Sequence, residues 1–131
     1  MILDEEEFLE RFETCRLSGD DFHHADHVRL AWLYLQRHSL LAALTRFSEG
    51  LKRFAVSKGK ATLYHETITW AYFFLIHERI KRSKRGQNWQ EFAETNSDLL
   101  EWKSSILKKY YSDELLPFCM KSKVVRQFFL R

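Results

Sequence analysis

Apolar residues return every three or four positions along most of this chain, a spacing that an α-helix gathers onto one face. Leu41, Leu44, Phe47, Leu51 and Phe54 form the plainest stripe, and Phe8, Phe12 and Cys15, with Leu9 beside them, form another. The alternating apolar and polar runs that a half-buried strand needs are absent. One Pro and four Gly in 131 residues leave little to interrupt the helices. The prediction is therefore all-α: a single helical domain over 1–131, a bundle of about five to seven helices. A chain this long supports one core, and 45% hydrophobic residues fill it.

Local signals divide the stripes into elements. Asp4, with Glu7 three residues on, caps a first helix that Ser18-Gly19-Asp20 stops. Asp20 or Asp21 caps a second, running to about His38; Ser39 caps a third from Leu40 to about Ser57, ended by Lys58-Gly59-Lys60. Gly50 inside the third marks a close helix crossing. A fourth helix, about 62–83, is apolar nearly all the way round, which predicts a buried central helix. Lys84-Arg85-Gly86-Gln87 is a polar break, after which Trp89, Phe92 and Ala93 suggest a short helix. Asn96-Ser97-Asp98 caps another with Leu99, Trp102, Ile106 and Tyr110, and 112–116 and 122–129 read as further turns either side of Pro117.

Several function classes are disfavoured at once. With 21 basic and 18 acidic residues the net charge is +3, too weak a field to predict a nucleic-acid partner. The run Lys81-Arg82-Ser83-Lys84-Arg85 reads as the cations expected at a helix C-terminus rather than as phosphate contacts. Cys15 and Cys119 form no C-x-x-C pair, hence neither a disulfide framework nor a zinc ribbon. The opening Met1-Ile2-Leu3-Asp4-Glu5-Glu6-Glu7 has no basic and apolar signal pattern. The most apolar stretch, 68–80, carries His77, Glu78 and Arg79 and is well short of the roughly 20 residues of a membrane span. These readings predict a cytoplasmic protein with no membrane partner, and leave a homo-oligomer open. No P-loop, G-x-G-x-x-G, H-E-x-x-H or G-x-S-x-G occurs.

The chemistry is sought in two clusters. In Phe22-His23-His24-Ala25-Asp26-His27-Val28-Arg29, a helical projection puts His24 and His27 on the inward side with Val28, Ala31, Tyr34 and Leu35. Their i, i+3 spacing makes the two imidazoles neighbours, while Asp26 and Arg29 fall outward and His23 lies at the edge. In Tyr64-His65-Glu66-Thr67-Ile68-Thr69-Trp70, His65 shares an inward strip with Thr69, Tyr72 and Ile76, and Glu66 an adjacent one with Phe73 and Ile80, so both should be at least partly buried. If the fourth helix starts where the second does, His24, His27 and His65 form a three-nitrogen set for a divalent metal, Zn, Fe or Mn. Glu66 then serves as a fourth ligand or a catalytic base, and Trp70, Tyr72 and Thr69 line the pocket beside it. Such a site makes the protein a metal-dependent enzyme, hydrolase or oxidoreductase, acting on a small-molecule substrate.

A plainer reading stands beside this one. Buried histidines often only hydrogen-bond to a tyrosine, a carboxylate or a carbonyl, which would make the chain a non-catalytic helical binding module. The pattern Phe22-x-His24-x-x-His27-x-Arg29 followed by Tyr64-His65-Glu66-Thr67-x-Thr69 resembles that of a family of small all-helical bacterial proteins, over most of the chain. The resemblance implies that these phenylalanine, histidine, arginine and threonine positions belong together; it carries no activity, substrate or metal. More distantly, the histidines on separate helices are similar to those of DinB-type metal-binding bundles, whose late third histidine has no counterpart here.

Overall fold

Caps and breakers act first. In the computed structural model, which describes residues 4–19, 22–64 and 66–100 (Leu63 by its backbone alone), five α-helices form a bundle, and no strand occurs among the described residues. α1 spans Glu5–Glu13, and the Asp4 carboxylate accepts from the Glu7 amide at 2.8 Å, as its sequence requires. It ends sooner than the stripe suggests. Cys15 takes a left-handed φ of 61° just past the helix, so it turns the chain instead of extending the Phe8–Phe12 face.

α2 spans His24–Arg37 and α3 spans Leu40–Ser57. Asp20 and Asp21, the expected caps of α2, lie outside the described residues; the Asp26 carboxylate accepts from the His23 amide at 2.9 Å and so closes the first turn from within. Ser39 caps α3 as anticipated, through the Ala42 amide. α4 spans Glu66–Arg82, four residues shorter at its start than expected, because Ala61–Leu63 form a separate 3₁₀ turn. α5 spans Trp89–Thr95 behind an Asn88–Glu91 capping box, and a second 3₁₀ turn covers Ser97–Leu100. The helix expected to continue through Trp102, Ile106 and Tyr110, the turns about Pro117, and Cys119 lie outside the described residues.

The core is a three-helix layer. Phe47 on α3 stacks on Phe73 of α4, and Lys52 on α3 reaches Glu66 of α4, so these two run antiparallel. His24 at the start of α2 meets Tyr72 in α4, while Trp32 and Ile80, each eight residues further on, line one cavity; α2 and α4 are therefore parallel. α1 lies across the layer: Tyr34 donates to Glu13 at 2.8 Å, and Arg29 sits 4.9 Å above the Phe8 ring. Unbroken burial falls on α2, from Leu30 to Tyr34. α4, expected to be enclosed all round, keeps an outer edge where Trp70 is 40% and Phe74 41% exposed. Leu41, expected on the inward stripe of α3, is 73% exposed in the first turn, beyond the reach of the neighbouring helices.

Gly50 is the close crossing its sequence position implied. A Cβ there would stand 2.7 Å from Phe12 Cε2, and Phe12 is wholly buried between Phe22 and Phe54, with no room to retreat. Gly50→Ala gains up to about 1 kcal/mol of helix propensity but forces an overpacked core costing about 1–3 kcal/mol. The expected net result is a loss of roughly 1 kcal/mol in urea denaturation, recovered when Phe12→Leu is added. A gain in the single variant would show that α1 is free to shift.

Candidate functional site

The first turn of α2 turns two imidazoles inward. Val28, Ala31 and Tyr34 fix that face in the core, and the helical period carries His24 and His27 onto it, 6% and 3% exposed. Phe22, buried just before the helix, holds the second ring, with centroids 4.4 Å apart. Tyr72 of α4 meets the first edge-on at 4.7 Å. His23 is largely exposed and lies 3.9 Å from Asp26, which does the work of a cap.

Backbone carbonyls set the tautomers. His24 Nε2 lies 2.9 Å from the Leu99 oxygen and His27 Nδ1 lies 3.0 Å from the His23 oxygen. A carbonyl only accepts, so each of those nitrogens carries the hydrogen, and His24 Nδ1 and His27 Nε2 are the lone-pair nitrogens. The Leu99 carbonyl is itself held in place: Arg79 of α4 grips Asp98 through two bonds of 2.9 and 2.7 Å and adds Asn96 at 3.2 Å. That guanidinium is the main reason the Asp98 carboxyl is held below its ordinary value.

Electrostatics keep both rings neutral. Burial pulls His24 down to about 4, against the Leu99 hydrogen bond. Burial pulls His27 down to about 3, and the charge that His24 would carry lowers it further. The two buried imidazoles thus oppose each other's protonation. Burial also raises the Tyr72 phenol well above its usual value.

A second polar group lies along α4. Thr69 is 1% exposed, and its side chain, with those of Trp70 and Ser48, lies close to the Tyr64 phenol and works against the rise in its pKa. That phenol is nevertheless pushed up to about 12, by burial first and by the Glu66 charge second. Lys52 covers the Tyr64 ring at 5.3 Å. Thus Thr69 and Trp70 gather at Tyr64, whereas Tyr72 gathers at His24.

Glu66 departs from expectation. Its carboxylate is 55% exposed and faces Lys52 at 3.2 Å, so the adjacent-strip argument fails at the helix end, where angle on the projection no longer implies depth. Trp70 likewise opens to solvent at 40%. His65 lies outside the described residues. Among the described residues no three His, Cys, Asp or Glu side chains converge as a metal set. The anchor that sequence reasoning missed is the Leu99 carbonyl, a main-chain group that leaves no mark in a residue pattern.

No helix of the described residues is long and apolar enough to cross a membrane. Comparison with protein-family models, with curated proteins and with solved structures finds no match.

Proposed function

We propose that His24 and His27, with His65 as third donor, hold a divalent metal ion of the Zn, Fe or Mn type, and that the site acts on a small molecule. The observation that carries this reading is the paired tautomers. Each imidazole is buried, neutral, and gives one N–H to a backbone carbonyl, which is the outer arrangement that orients histidine ligands in metal sites. Neutral rings need lose no proton to bind. An ion bound there would supply Lewis-acid chemistry. Tyr72, packed on His24, and the Tyr64–Thr69–Ser48 group would supply the polar wall that orients a substrate. Glu66, paired to Lys52 at the surface, has no part as a base.

One observation favours the plainer reading, a structural histidine pair in a non-catalytic module: the same two carbonyl bonds also tie α2 to the 97–100 turn and close its own first turn. The test is stoichiometry and stability. Protein stripped with chelator and returned to Zn²⁺, Fe²⁺ or Mn²⁺ is expected to take up one ion per chain and, at a hundredfold excess over Kd, to gain about 2.7 kcal/mol against unfolding. Co²⁺ gives a visible absorption band to check nitrogen ligation, which His65→Ala weakens. If none of these ions is taken up and the melting temperature does not move, the histidines are structural.

A further inference from the structure

Between α2, the end of α4 and α5 lies a cavity of about 450 Å³, and neither histidine of the pair lines it. That volume is within the range of small-molecule sites, about 300–1,000 Å³. Its aromatic wall is closed: Trp32 and Phe92 are 5% and 1% exposed and tilted by 36° to each other, so neither offers a face to a ligand ring. What a ligand meets is polar. Lys81, Lys84 and Arg85 line the cavity, all three exposed, and Gln36 of α2, also exposed, brings a carboxamide to the same lining. Among the described residues none of the three cations is ion-paired, while the adjacent Arg82 is held by Glu78 at 2.7 Å and does not line the cavity. Cations in the last turn of a helix need no ligand to account for them. α4 ends at Arg82, however, so Lys84 and Arg85 lie beyond it. Gly86, at φ +79°, reverses the chain there and keeps both cations in the lining. The Lys84, Arg85 and Gly86 amides donate to no backbone carbonyl among the described residues, and the amides of a turn are ready donors to an anion.

We infer that this cavity binds a small phosphorylated polyol, a sugar phosphate or its open-chain equivalent, with the phosphate at Lys81, Lys84 and Arg85 and a hydroxyl at the Gln36 carboxamide. The closed aromatic wall and the exposed polar groups together select that class. Three unpaired cations, one of them a guanidinium that grips two oxygens at once, take a phosphate. A carboxamide both donates and accepts, as a hydroxyl does, so the two pair in either sense. The cavity has room for a body beyond the bare ion, and that body carries hydroxyls instead of an aromatic ring. The site stands on different residues from the proposed metal site and does not depend on it.

Calorimetric titration of the intact protein with ribose 5-phosphate, glycerol 3-phosphate, inorganic phosphate and ribose tests this. The expected result is saturable, one-to-one binding of at least one ester, at least tenfold tighter than inorganic phosphate, with no heat from ribose. Lys84→Ala with Arg85→Ala is expected to weaken the ester at least tenfold at an unchanged melting temperature. Gln36→Ala is expected to weaken it at least threefold and so to narrow the gap between ester and inorganic phosphate. Arg82→Ala is the control: its guanidinium is held by Glu78 outside the cavity, so binding should not change, and a loss as large as that of the double variant would reduce the attraction to general surface charge and overturn the inference. Equal affinity for inorganic phosphate and ester would leave an adventitious ion only and overturn it, as would no heat from either ester at millimolar concentration. So would AMP binding more than tenfold more tightly than ribose 5-phosphate, or a single-stranded oligonucleotide doing so with a steep dependence on salt.

Discussion

Metal-free protein taken from pH 7 to pH 5 is expected to lose about 4 kcal/mol of stability. In the folded chain His24 titrates at about 4 and His27 at about 3, against 6.5 for an ordinary histidine. The unfolded chain therefore binds protons below pH 6.5 that the folded chain refuses, and the linkage relation makes stability fall as pH falls through that window. At pH 5 each ring contributes about 2 kcal/mol of the loss. Against a typical total of about 5–15 kcal/mol, that is enough to bring the protein close to unfolding. Asp98, held below 3.8 by Arg79, adds its own loss only as the pH falls further, below the range of this titration. Urea denaturation in chelator at pH 7, 6 and 5 is the measurement, with His27→Leu expected to halve the slope. A flat profile would mean that the rings are wet or charged, and the metal proposal would fall with them.

Phe12→Ala is expected to destabilise by about 3–5 kcal/mol, in the range for large aromatic truncations that leave a cavity. Phe12 is fully buried, with ring centroids 5.8 Å from both Phe22 and Phe54 and its edge on Gly50. Removing it deprives α1 of its main contact with α3 and loosens Phe22, which supports His27. The same titration should then show His27 moving back toward an ordinary value. A loss under 1 kcal/mol would mean that α1 contributes little to the core.

How much of this could be read from residues alone depended on how local the cause was. α3 begins and ends as expected because Ser39 and Lys58-Gly59 act within a turn of themselves. His24 and His27 turned inward as expected because they share a helical period with Val28, Ala31 and Tyr34, which the core holds. Errors arose where a neighbour decides. Cys15 continued the stripe in projection but takes a left-handed turn. Glu66 shared an angle with buried Phe73 yet lies in the first turn of α4, where Lys52 and water reach it. Trp70 and Leu41 repeat the lesson, since a projection gives direction around a helix and says nothing of where the neighbouring helices stop. The Leu99 carbonyl, 75 residues from His24, belongs to a class of partner with no side-chain signature at all.

The parallel pairing of α2 and α4 has a consequence for how the chain comes to life on the ribosome. Both histidines are synthesised early, but the ring that closes on the first comes from Tyr72, and its carbonyl partner follows 75 residues after it. A chain made only as far as α3 lacks both of these partners of His24. Below about pH 6, where a free imidazole takes up a proton, the neutrality of His24 is acquired only once Tyr72 and Leu99 are in place, so there its protonation state reports whether those contacts have formed.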